Sequence, residues 1–256
     1  MILDEIKEAY VKDLLAKGKR ADGRGLLDYR QVKITKGIIP NAEGSAMAEL
    51  GDTKVLCGVK FDVMKPYADR PTEGVFTVQA EFLPLAHPEF EAGPPKEGSI
   101  ELARVVDRGI RSAEALDVKD WLLEEEKVLG AFLDIYILDH CGNLIDAASL
   151  AAMAALLDAK VPKYEEGKLV RGEFKGPLPL ARKVASCSFE KIGASTVLDA
   201  TDEEEVASDG RLTLATSDGD FLVCAQKSGA AGFSEKEIMD LMDISLEKGR
   251  ALRSLV

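Results

Sequence analysis

Apolar residues recur at every second position in two early stretches, Val55, Cys57, Val59, Phe61, Val63 and then Phe76, Val78, Ala80, Phe82. That is the period of a half-buried strand. Gly51-Asp52 precedes the first, after another strand-like stretch at Ser45 to Leu50, so a hairpin is predicted there. Phe132 to Asp139, rich in Ile and Leu, is a further strand. Between strands, the spacing predicts an amphipathic helix over about Ser99 to Leu116, and a second helix over about Asp146 to Ala159 that is apolar almost all round (AASLAAMAALLDA). A helix apolar on every side belongs in the middle of a protein. The chain opens with a helix in which Leu3, Ile6, Tyr10 and Leu14 form the apolar positions among acids and lysines.

The stretch Val161 to Pro179 gathers Gly167, Gly172, Gly176, Pro162, Pro177 and Pro179, a composition that breaks regular structure and predicts a connector. Beyond it, strands are expected at about Val184 to Phe189, Ser195 to Asp199, Leu212 to Thr216 and Phe221 to Gln226, the last two joined by a Ser217-Asp218-Gly219 turn. A closing helix is marked by Ser234 with Glu237 three residues later, a capping box, with Phe233 able to staple to Ile238; Leu241, Met242, Ser245 and Leu252 continue one face. Strands followed by helices in each half predict an α+β protein of mixed sheets covered by helices. The expected organisation is a first half over 1–160, a connector over 161–183 and a second half over 184–256.

The 256 residues and 46% hydrophobic content suit an ordinary globular core, and the formal net charge of −12 excludes a broadly basic surface. Contact with nucleic acid would have to come from a local cluster. Cys57, Cys141, Cys187 and Cys224 are scattered without a C-x-x-C pair, beside only two histidines, His87 and His140; structural thiols in a reducing compartment are expected, and no metal or other cofactor. No segment is long and apolar enough to span a bilayer, and the opening helix is unlike a signal peptide, so a cytoplasmic protein with no membrane association is expected.

Two clusters carry candidate chemistry. Arg104, Arg108 and Arg111 are spaced i, i+4, i+7 in EGSIELARVVDRGIRSAEAL, which puts them within about 60° of arc at axial intervals of roughly 6 and 4.5 Å, a spacing able to follow the phosphates of a single strand. Leu102, Val105, Val106 and Ala113 fall opposite. Pairing with Glu101, Asp107 and Glu114 would instead make the face a solvated, salt-bridged surface worth little, and the residues alone leave both readings open. The run DATDEEE, Asp199 to Glu205, could hold a divalent cation or act as a general acid, although most such runs are solvated turns and no nucleophile, histidine base or phosphate-cradling glycine loop accompanies it.

RADGRGLLDYR (20–30), GDTKVLCGVK (51–60), IELARVVDRGIRS (100–112), DHCGNLIDAASLAAMAALLDA (139–159) and QKSGAAGF (226–233), in this order over nearly the whole chain, resemble the RNase PH family. More narrowly, they are similar to the non-catalytic RNase PH-like ring subunits of the archaeal exosome. The resemblance implies an RNase PH-like fold, of the ribosomal protein S5 domain 2-like kind. Active members phosphorolyse RNA from the 3′ end, with bound phosphate as the attacking group and aspartates near the scissile bond. Their Gly-Ser/Thr-Arg triplet before the central helix matches Gly142-Asn143-Leu144, which has neither hydroxyl nor guanidinium. A second phosphate arginine, three residues before the glutamate matching Glu101, is replaced by Gly98. The aspartate pair, spaced by six, matches Asp199 and Glu205. Without those two cationic groups, phosphate beside a carboxylate meets uncompensated repulsion, so the expectation is a chain with no phosphorolysis of its own.

In those ring subunits the residues matching Arg104 and Arg108 lie at the interface and contact RNA near the catalytic partner's site; Arg111 is added from its place on the same face. The resemblance further implies three copies alternating with three of a catalytic homologue in a six-membered ring, RNA-binding cap subunits, and single-stranded RNA in the central channel, held through its backbone. The alternatives are an active phosphate-dependent 3′–5′ exoribonuclease using Asp199 and Glu205, and a purely structural spacer whose arginines never meet RNA.

Overall fold

The computed structural model describes residues 2–256, with the side chains of residues 1–4 outside the described set. The predicted hairpin forms from β2 (Gly44–Leu50) and β3 (Thr53–Met64), paired antiparallel with Leu50 opposite Thr53. Along β3 the alternating residues Val55, Cys57, Val59 and Phe61 point into the core, as the period of two requires. β6 (Lys127–Asp139) runs antiparallel to β3, and β4 (Val75–Phe82) parallel to β6. A parallel neighbour needs a crossover, supplied in part by α2 (Glu97–Ser112). The strand order is β1-β2-β3-β6-β4, with β1 (Val32–Lys36) on one edge and the short β5 (Leu122–Glu124) beside β6.

The second sheet is antiparallel, ordered β10-β9-β11-β12, from β9 (Val184–Ile192), β10 (Ser195–Leu198), β11 (Gly210–Ser217) and β12 (Phe221–Gly229). Between the sheets lies α3 (Leu144–Asp158), buried without interruption from Ile145 to Leu156. It touches β2 and β3 on one side and β9 on the other. Its alanines permit that double contact: a Cβ on Gly44 of β2 would stand 2.5 Å from the Ala155 carbonyl, so glycine lets strand and helix approach. Burial of Leu150 and Leu156 contributes about 1.5–3 kcal/mol each. α5 (Glu235–Arg253) closes the second sheet, opening on the expected Ser234/Glu237 capping box and burying Leu241, Ser245 and Leu252. The fold is thus α+β, with mixed sheets covered by helices.

Two expectations need correction. The Val161 to Pro179 stretch is not irregular: β7 (Lys160–Glu165) and β8 (Lys168–Pro177) make a two-stranded antiparallel ribbon. Glu166 and Gly167, at φ 50° and 80°, form its tight turn, and the register shifts on both sides of Pro162, where a bulge tolerates the missing N–H. The prolines and glycines therefore punctuate strands instead of preventing them. In α1 (Ile2–Ala16) the packed face is Val11 and Leu15, against Ile192, Val197, Ala200 and Ala207. Ile6 and Tyr10 are exposed, Leu14 is half-buried, and the Leu3 side chain is outside the described residues. The stripe is rotated because only one short apolar patch underlies the helix.

Candidate nucleic-acid interface and carboxylate pocket

β10 ends at Leu198, and Asp199 turns the chain with φ 53°, a left-handed conformation uncommon for a residue with a side chain. Its carboxylate is fully buried. Oδ2 accepts from Arg24 Nη1 (2.9 Å), the Arg30 backbone N–H (2.8 Å) and Arg30 Nε (2.9 Å), while Oδ1 accepts from Arg30 Nη2 (2.7 Å) and Asn143 Nδ2 (2.9 Å). α4 (Asp202–Val206) follows, opened by a Thr201/Glu204 capping box. Glu204 is buried too, taking Arg20 Nε at 2.9 Å and Nη2 at 2.5 Å, while Arg20 also donates to the Leu198 and Asp199 carbonyls. The acidic run is thus no solvated turn. Two of its carboxylates bind three arginines from the 20–30 segment, with Asp22 supplying a second acid to Arg24.

Arg30 reaches further, donating to the carbonyls of Cys141 (2.7 Å) and Gly142 (3.1 Å). Gly142 and Asn143 both have positive φ, 92° and 56°, and a Cβ on Gly142 would lie 2.3 Å from the Ala200 carbonyl. Only glycine fits there. The Asn143 N–H donates to Glu205 Oε1 at 2.8 Å, and its Nδ2 bridges Asp146 and Asp199. Asp199, Glu205, Gly142 and Asn143 therefore converge. Leu144 is half-buried and packs on the core. Burial pushes the Glu205 carboxyl up to about 7, against the lowering effect of the Asn143 N–H. His140 Nε2 stands 3.9 Å from Glu205 Oε2, yet burial holds the imidazole down at about 4, with His87 adding to the effect, so His140 is neutral near pH 7 and supplies no counter-charge.

Gly98 lies on the exposed first turn of α2, where a Cβ would stand 3.2 Å from the Phe82 ring. It borders a pocket of about 330 Å³ that also contains Phe82, Phe90 and Lys96. A run of rings connects this pocket to Glu205: Phe82 to Phe90 at 4.6 Å, then Phe90 stacked on His140 at 5.4 Å.

On α2 the three arginines have different fates. Arg104 is exposed and makes no hydrogen bond or ion pair among the described residues. Arg108 is half-buried, its Nη1 donating to Gln226 Oε1 on β12 at 2.7 Å. Arg111 is held by Asp107 at 2.8 and 2.9 Å, donates to the Phe76 carbonyl and lies over the Phe76 ring at 5.4 Å. Of the three same-helix pairings considered, only that with Asp107 forms; Glu101 turns to Arg211 on β11, at 3.4 Å.

Sequence reasoning missed the arginine cage and Asp146. The Asp146 carboxylate is fully buried and accepts from the Tyr29 hydroxyl, Asn143 Nδ2, and the Ser188 N–H and Oγ at 2.8–3.0 Å. Burial pushes it up to about 6. A lone acid in the first turn of an otherwise apolar helix was the available signal, since that turn favours negative charge. All four cysteines are free, with Cys57 and Cys187 buried. Among the described residues no helix is long and apolar enough to cross a membrane.

The family model for the first domain of the 3′ exoribonuclease (RNase PH) family matches residues 28–162, and that for its second domain residues 183–248. The chain belongs to the RNase PH family. Its relatives within the family include the exosome complex component Rrp42 of Thermococcus kodakarensis, 42% identical over 100% of this chain and 96% of that protein. The Rrp42 of Archaeoglobus fulgidus is 45% identical over 98% of this chain and 96% of the relative. Among solved structures, a chain of the Archaeoglobus fulgidus exosome with RNA bound to the active site superposes with TM-score 0.92 at 43% identity, covering 99% of both chains. Rice Rrp46 superposes at TM-score 0.70 with 18% identity over 92% of this chain and 97% of the other, a likeness of RNase PH-like fold alone.

Proposed function

We propose that this chain is a non-catalytic ring subunit of an archaeal-type exosome, gripping single-stranded RNA through Arg104 and Arg108 while a homologous partner cuts it. Full-length relatives named as exosome components support the assembly. In this reading three copies alternate with three of the catalytic homologue beneath RNA-binding caps, in the cytoplasm, and the halves 1–160 and 184–256 flank the β7–β8 ribbon.

The observation that carries the silence is the state of the donors around Glu205. Arg30 is spent on Asp199, Arg211 lies against Glu101 and Glu190, and the Asn143 N–H is spent on Glu205 itself. Leu144 and Gly98 offer no guanidinium. A phosphate entering there would meet a carboxylate without the positive cradle that phosphoryl transfer requires. The grip is supported by Arg104 having no partner among the described residues and Arg108 a neutral one. Arg111, already paired with Asp107, is the lesser contributor.

The test is phosphate-dependent release of nucleoside diphosphates from single-stranded RNA by this chain alone, by its catalytic homologue alone, and by the two reconstituted. We expect none from this chain and the most from the pair. Release by the purified chain would overturn the reading in favour of an active exoribonuclease.

A further inference from the structure

We infer that Gln226 is a positioning residue for RNA binding: it orients the Arg108 guanidinium in the groove between α2 and β12 without discharging it. The inference rests on the proposed RNA grip and deepens it by assigning a role to the second sheet. Arg108 stands at one wall of a groove of about 330 Å³ that Arg104, Ile100, Val105 and the carboxylates of Glu97 and Glu101 also line, with Gln226 opposite. A free arginine side chain carries about 2 kcal/mol of rotamer entropy that must be lost when it binds a phosphate. The 2.7 Å bond from Nη1 to the Gln226 carbonyl oxygen restricts Arg108 beforehand and leaves its other N–H groups available.

The neutrality of the acceptor is the point. The chain has 45 acidic against 33 basic residues, yet β12, FLVCAQKSG, contains no acid. A carboxylate at 226 would hold Arg108 equally well and cancel its charge; an amide holds it and leaves the charge to the groove. The neighbouring strand works in the same direction. Arg211 on β11 takes Glu101, the acid that one helical turn would otherwise bring to Arg104. Arg111 shows the contrasting outcome, an arginine oriented by an acid and thereby neutralised.

The experiment uses the reconstituted ring without inorganic phosphate, with a fluorescent oligoadenylate as probe and anisotropy read over a range of KCl. Gln226→Leu is expected to weaken binding about 5-fold, the scale of one ordinary hydrogen bond. Gln226→Glu is expected to weaken it further and to lower the slope of log affinity against log salt by about one phosphate contact. In the Arg108→Ala ring, Gln226→Leu is expected to add nothing. Unchanged affinity for Gln226→Leu, while Arg108→Ala weakens binding, would overturn the inference and leave the RNA grip standing. An equal loss in both backgrounds, or a loss explained by a failed ring on size exclusion, would also overturn it. If Arg108→Ala itself leaves affinity and salt slope unchanged, the grip is what fails.

Discussion

The pocket around Asp199 and the outer face of α2 are both clusters of arginine and carboxylate, and they have opposite fates. In the pocket, Arg20, Arg24 and Arg30 meet Asp199 and Glu204 with every carboxylate oxygen engaged and both acids out of solvent. On α2, Arg104 is unpaired among the described residues and Arg108 leans on a neutral amide. Buried charge must find its partner within the fold, because desolvation makes an unpaired ion too costly. Exposed charge can wait for a partner from outside. The difference separates groups that maintain the structure from groups available to a ligand, whichever residue types they are.

The comparison breaks most readily at Asp199. Asp199→Ala strips Arg24 and Arg30 of their buried counter-ion and is expected to destabilise the chain by about 3–5 kcal/mol in urea unfolding. A loss below 1 kcal/mol would show that solvent reaches the cage. Next in size is the Arg104→Ala/Arg108→Ala pair, expected to weaken RNA binding by the ring at least tenfold while leaving the unfolding midpoint within experimental error. Unchanged degradation kinetics by that ring would remove α2 from the binding face.

A third prediction concerns pH. The Glu205 carboxyl, raised from 4.5 to about 7 by burial, binds more protons folded than unfolded between those values, so its contribution to stability declines as pH rises through that window. Asp146 acts in the same sense, whereas neutral His140, lowered to about 4, acts in the opposite one. Glu205→Gln isolates the single group: it can still accept from the Asn143 N–H, and its stability advantage over the parent is expected to grow from nothing near pH 4 to about 2–3 kcal/mol at pH 8. A difference that does not vary with pH would refute the shift. The smallest effect is expected at Arg111, where alanine should cost under 1 kcal/mol of stability and less than a twofold change in RNA affinity.

The elements of this fold were largely legible where local pattern governs. The period-two runs located β3 and β4, the uniform apolarity of AASLAAMAALLDA located the central helix, and Ser234/Glu237 located the start of α5. The 161–179 stretch misled because glycine and proline mark turns and bulges inside a ribbon as readily as they mark a loop. α1 misled because a helix carries several apolar stripes and only a tertiary neighbour selects one. The motif resemblance picked out Asp199, Glu205, Gly142 and Asn143, which converge, but the electrostatics around them were not legible. Arg30 meets Asp199 across 169 positions, and Arg108 meets Gln226 across 118. No periodicity connects residues so far apart. Only the topology that folds the second sheet over α3 brings them together.

That central helix has a mechanical consequence. α3 is the wall of both sheets, and Asp146 on it is bonded at once to Tyr29 and to Ser188, so any opening between the sheets would have to break these buried bonds. If α2 grips RNA as proposed, a pull on it would pass through its contacts with α3 and β9 to both sheets.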